Sequence, residues 1–89
     1  MINQYLISEF GQRIKQLRNQ RNISQESLSN LTGFHRTYIG MIERGERNIS
    51  LTNMAVFAKF FEMSLSELLD FSSINSSHSY REYEIKTEK

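Results

Sequence analysis

The sequence predicts an all-α fold, a compact bundle of five helices carrying a polar C-terminal extension. Three observations predict it. Apolar residues recur at helical spacing through most of the first 71 positions. Four separate segments begin with the same pattern, a capping residue flanked by an apolar pair that staples the first turn. The 89 residues contain no proline to interrupt helices, and a chain of that length has room for one domain with one core.

The first helix is expected from about Gln4 to Arg21, where Leu6/Ile7, Phe10, Ile14 and Leu17 mark one face and Asn22 is a plausible stop. Ser24 opens the second, over 24–32, with Ile23 and Leu28 as its staple. His35 opens the third, over 36–44, although histidine is a weak cap; Phe34 and Ile39 flank it. Ser50 opens the fourth, over 51–61, between Ile49 and Met54. Ser64 opens the fifth, over 65–71, between Met63 and Leu68, with Glu67 completing a capping box. Gly33 and Gly45 fall just past helices 2 and 3, where a left-handed residue ends a helix at least cost. In helix 4 the stripe Leu51, Met54, Ala55, Ala58 and Phe61, widened by Val56, Phe57 and Phe60, suggests burial on more than one side. Residues 1–71 thus read as the folded domain and 72–89 as a polar tail. The tail starts Ser- and Asn-rich and ends with Tyr80, Tyr83 and Ile85 among balanced charges. Fraying, a short strand and docking on a partner are all open for it.

Composition removes several classes of function. With no cysteine there are no disulfides, no cysteine-ligated zinc and no thiol chemistry, which fits a reducing cytoplasm. His35 and His78 are far apart and offer no metal site. No apolar stretch approaches membrane-spanning length, and the N-terminus lacks a signal-peptide pattern. The carboxylate pairs Glu43/Glu46 and Glu82/Glu84 have no nucleophile beside them and read as solvated surface charge. The four glycines form no phosphate-binding loop. No enzyme and no cofactor are expected. The net charge is only +1, but residues 13–47 carry seven basic and three acidic groups, while 48–89 carry four and six. That asymmetry fits a polyanion-facing side or ordinary surface charge.

Helices 2 and 3, joined by a short turn containing Gly33, form a helix-turn-helix, whose second helix is built to enter a DNA major groove. Helix 3 directs Ile39 and Ile42 inward and Arg36, Thr37, Gly40 and Arg44 outward. Arg36 is a long donor suited to guanine edges, Thr37 offers a methyl to thymine, and Gly40 leaves bare backbone for close approach to bases. A mid-helix glycine costs about 1 kcal/mol relative to alanine, which calls for a compensating reason.

The runs Ile14-Lys-Gln-Leu17-Arg18, Ile23-Ser24-Gln25-Glu26-Ser-Leu28, Arg36-Thr37-Tyr38-Ile39, Ile42-Glu43-Arg44-Gly45-Glu-Arg47-Asn48 and Ser50-Leu51 resemble the Xre/Cro/repressor helix-turn-helix family over roughly residues 8–71. The run from Arg36 to Asn48 is similar to small controller proteins of restriction–modification operons. The resemblance implies a lambda-repressor-like fold and a homodimer on pseudo-palindromic double-stranded DNA, with no cofactor. It implies a cytoplasmic, nucleoid-associated transcription regulator, with autoregulation of a restriction–modification operon as the narrower expectation. It places Arg36 and Thr37 on bases, with Gly40 beside them, and Gln25, Tyr38, Arg44, Arg47 and Asn48 on the sugar–phosphate backbone. Arg18 and Glu43 match a structural salt bridge. Leu65, Leu68, Leu69 and Phe71 are the candidate dimer surface. His35 stands where many relatives have Asp, Ser or Asn; a poor cap, a phosphate contact and pH-sensitive binding are its open roles. The competing function is a protein-interaction module, an antitoxin or adaptor, engaging a protein partner through the 72–89 tail.

Overall fold

The structure of the chain is a computed structural model, and it describes residues 3–74. The tail expectations for Tyr80, Tyr83, Ile85 and His78 fall outside these residues. Five helices follow one another: α1 Gln4–Gln20, α2 Gln25–Thr32, α3 Arg36–Glu43, α4 Leu51–Phe60 and α5 Leu65–Leu68.

Each helix starts from a side chain that accepts an otherwise unpaired backbone N–H. Ser24 accepts from Ser27 N, Ser50 from Asn53 N and Ser64 from Glu67 N, while Glu67 Oε1 accepts from Ser64 N at 2.8 Å. His35 does cap α3, its Nδ1 accepting from Thr37 N at 3.1 Å. Asn3 caps α1 in the same way, a start for which the sequence pattern names no cap. Caps of this kind are each worth about 1 kcal/mol.

The helix ends are set by left-handed residues. Asn22, Gly33, Gly45 and Glu62 have φ of 54°, 83°, 74° and 57°. After three of them the chain closes back over the helix: Ile23 N donates to Arg18 O, Glu46 N to Met41 O and Met63 N to Ala58 O. α5 ends at Leu68 rather than Phe71. The carbonyls of Glu67 and Leu68, which a longer helix would give to residues 71 and 72, accept instead from Arg13 Nη2 and Nε at 2.7 and 3.1 Å. Arg21 serves α4 likewise, donating to Phe61 O at 2.8 Å with its guanidinium over the Phe61 ring.

The core gathers Phe10, Ile14 and Leu17 of α1, Leu28 of α2, Ile39 and Ile42 of α3, Phe57, Ala58 and Phe61 of α4, and Leu68 of α5. α1 crosses α3 at Gly11, where an added Cβ would collide with the Ile42 carbonyl oxygen and lie 3.0 Å from that of Glu43. Above the crossing, Glu43 joins three helices. Arg18 Nε donates to its Oε2 at 2.7 Å and Nη2 to its Oε1 at 3.0 Å; Gln25 Nε2 donates to Oε1 at 3.1 Å. The pair is nearly dry, with side-chain exposures of 12% and 3%. The hydrogen bond to Glu43 outweighs burial and raises the Arg18 pKa, so the guanidinium stays charged.

Two expectations about apolar faces are corrected. On α4 the buried side is Phe57 and Ala58, continued by Phe61, whereas Leu51 is 64% exposed and Ala55 is also exposed. Met54 and Phe60 pack partly against the core, so it is Leu51 and Ala55 that the bundle leaves uncovered. Leu68, expected at a dimer surface, is wholly buried within the single chain because α5 lays it into the core. Leu65 and Phe71 pack partly against that core, and Leu69 is exposed.

Three stability outcomes follow from these contacts. Gly11→Ala should lower stability by roughly 1–3 kcal/mol, read as a reduced urea midpoint, because backbone cannot yield as a side-chain tip can. Glu43→Ala, which strands the Arg18 guanidinium in a dry site, should cost roughly 3–5 kcal/mol on the same measurement. The backbone hydrogen bond at Ser64 holds the Glu67 carboxyl below its usual value near 4.5. A depressed carboxyl stabilises above its unfolded pKa, and that contribution disappears as pH falls through the folded value. The stability gap between the protein and Glu67→Ala should therefore be full at pH 6 and narrow progressively below about pH 4.5.

Candidate nucleic-acid interface

α3 is held by its inner side, where Ile39 and Ile42 are buried, and its start faces outward, with Arg36 and Thr37 exposed. The turn before it is braced by hydroxyls: Thr32 Oγ1 donates to Leu28 O and accepts from Phe34 N, and Ser29 Oγ donates to Phe34 O. Phe34 packs against Phe57 and Tyr38 at ring separations of 5.1 and 5.2 Å. The angle between α2 and α3 is thereby tied to the core.

Five side chains or backbone positions meet in one open, mostly polar recess of about 340 Å³: Gln25, Arg36, Thr37, Gly40 and Arg44. The base-reading candidates and two of the backbone-contact candidates therefore share a single surface. Gln25, first in α2, is half-buried and tethered through its amide to Glu43. Gly40 is not bare. It is buried beneath the Arg44 guanidinium, whose Nη1 lies 3.0 Å from where a Cβ would stand. Arg44 in turn is gripped by Glu46, at 2.9 Å from Nε and 3.2 Å from Nη2. That hydrogen bond raises the Arg44 pKa and holds the Glu46 carboxyl below its usual value.

A second cluster flanks the recess. The Tyr38 phenol oxygen accepts from Asn53 Nδ2 at 2.9 Å, leaving its own O–H to donate, and the Arg47 guanidinium lies 5.2 Å over the Tyr38 ring. Arg47 and Asn48 are exposed. His35, the remaining backbone-contact candidate, is exposed, with Nδ1 committed to the α3 cap.

Sequence reasoning missed Asn53 and Glu46. Asn53 lies outside the motif in sequence and joins Tyr38 only across the fold. Glu46 reads as solvated surface charge in the sequence, although its spacing of two from Arg44 across Gly45 is an available signal. The charge asymmetry also overstates the outward cations. Of the seven in residues 13–47, Arg13 and Arg18 are partly buried and bonded within the bundle, and Arg21, though exposed, is tied back onto α4. Among the described residues no group of three or more His, Cys, Asp or Glu could hold a metal ion, and no helix is long and apolar enough to cross a membrane.

Comparison with known proteins agrees with this geometry. The helix-turn-helix family profile matches residues 14–68. The control protein C.SmaI of Serratia marcescens is 43% identical over 59 residues, covering 66% of this chain and 70% of that protein. The control protein C.BamHI of Bacillus amyloliquefaciens is 44% identical over 68 residues, covering 75% and 84%. The crystal structure of the restriction-modification controller protein C.AhdI from Aeromonas hydrophila superposes with a TM-score of 0.66 at 42% identity, over 70% of this chain and 94% of that one. The chain belongs to the Xre-type helix-turn-helix family, among the restriction–modification controller proteins.

Proposed function

We propose that this protein is a sequence-specific regulator of transcription, not an enzyme, that acts in the cytoplasm on double-stranded DNA at the nucleoid and controls a restriction–modification operon that includes its own gene. The observation that carries the reading is the outward start of α3, with Arg36 and Thr37 exposed beside a polar recess while Ile39 and Ile42 anchor the helix from behind. In this reading α3 enters the major groove, Arg36 donates to a guanine edge and Thr37 packs on a thymine methyl. Tyr38, Arg47, Asn48 and His35 face the sugar–phosphate backbone and set the register without reading sequence. Gln25, at the start of α2, meets a phosphate beside free backbone N–H groups.

The active species is a dimer, so that two copies of α3 meet half-sites about 34 Å apart, one turn of DNA. Its surface includes the exposed Leu6, Leu51 and Leu69 and the partly buried Leu65 and Phe71. Leu6, Leu69 and Phe71 line an apolar groove of about 140 Å³ together with Ile7, Phe10, Ile49 and Met54. Exposed apolar side chains grouped around such a groove support association. Residues 1–71 form the DNA-binding unit, with 72–89 as an appendage to it.

The test is a footprint over the DNA upstream of the protein's own gene, followed by titrations of two variants. Arg36→Ala should lose about 1–3 kcal/mol on the protected duplex and relax preference at one base pair of each half-site. Arg47→Ala should weaken specific and random duplexes alike and flatten the slope of log K against log salt by about one for each phosphate no longer neutralised. Equal losses by Arg36→Ala on both kinds of duplex would sink the base-reading role.

A further inference from the structure

Arg44 and Glu46 are joined in a way that gives the arginine one free edge. Glu46 takes the Nε/Nη2 side of the guanidinium with both carboxylate oxygens. Of the five N–H groups of arginine, both on Nη1 and one on Nη2 remain. They form the end-on fork, and Nη1 lies over Gly40 in the recess shared with Arg36, Thr37 and Gln25. An exposed ion pair holds its shape only when its geometry is bidentate, and this one is further fixed by the backbone. Gly45 N donates to Ile42 O and Glu46 N to Met41 O, which sets Glu46 at the end of α3 beside Arg44.

That arrangement suits one kind of DNA acceptor better than the other. A phosphate approaching Arg44 meets a pair without net charge and a carboxylate that repels it. The O6 and N7 of guanine are neutral acceptors, spaced for a two-pronged donor such as the end-on fork. Glycine at position 40 has its reason here, since any larger residue crowds the seat of Nη1. We infer that Arg44, braced by Glu46 and seated over Gly40, is a second guanine-reading side chain beside Arg36, rather than a phosphate contact. The inference rests on the DNA-reading function above. Glu46 is the positioning residue, and it also cancels a charge that would otherwise strengthen binding to any sequence.

The experiment uses the full chain and a duplex enriched by it from a randomised pool, compared with an unrelated duplex across a range of KCl. The double variant Arg44→Ala/Glu46→Ala, which removes both charges and strands neither, should bind the enriched duplex about ten- to a hundred-fold more weakly, a loss typical of a bidentate base contact, with an unchanged salt slope. Replacing one particular guanine by 7-deazaguanine should weaken the wild-type protein and leave Arg44→Ala unaffected. Glu46→Ala should bind the unrelated duplex more tightly and steepen the salt slope by about one per protomer. Gly40→Ala should melt no lower than wild type, since alanine favours the helix, yet lose the same guanine preference. If the double variant weakens both duplexes equally and flattens the slope, or no guanine couples to Arg44, the inference is overturned while the regulator reading stands. If no sequence is enriched from the pool, the regulator reading itself fails and takes this inference with it.

Discussion

The Glu43 carboxylate is the constraint on which the surface of this protein depends. It accepts from Arg18 of α1 and from Gln25 of α2 while belonging to α3. Three helices therefore agree on one point in space. A charge in so dry a place is costly unless it is well paired and hydrogen-bonded, and here both oxygens accept. Arg18 also donates to Ile23 O at the end of its own helix's return, so the same guanidinium sets where α2 begins. The tilt of α3 and the position of Gln25 at the recess both follow from this one site.

The remainder of the architecture distributes work between greasy and polar anchors. Gly11 lets α1 and α3 touch backbone to backbone, and Phe57 sits beneath the helix-turn-helix with Phe10 and Phe34 against it. Hydroxyls of Ser29 and Thr32 close the turn that the rings cannot. A rigid base of this kind is what a reading helix needs, because a bidentate contact fails when its donor drifts by about 1 Å.

Most of the fold was legible in the sequence because its signals are local. A cap and its staple lie within five residues of each other, so the starts of α2 to α5 could be read directly, including the weaker His35. Ends were harder. Asn22, Gly33 and Gly45 announce a left-handed turn, but Glu62 adopts the same conformation without any compositional sign. The stop of α5 depends on Arg13, more than fifty residues earlier, and no local pattern contains that information. The recess was partly legible. Arg36, Thr37 and Gln25 could be placed there from the motif, whereas Arg44 lying over Gly40 is a product of side-chain geometry. Leu68 was grouped with Leu65, Leu69 and Phe71 as a candidate dimer surface, and only the packing of α5 onto the other helices separates it from them.

The arginines bound back onto the bundle change what counts as a conservative replacement. Arg13 bridges Gln16 and two main-chain oxygens, Arg18 bridges a carboxylate and a carbonyl, and Arg21 pairs a carbonyl with an aromatic face. Each uses the planar, forked shape of guanidinium, which the compact ammonium of lysine does not reproduce. Drift between the two basic residues is thus open to the exposed Lys15 but closed to Arg13, Arg18 and Arg21, whose guanidinium groups are committed to partners, even though a charge count treats all four alike.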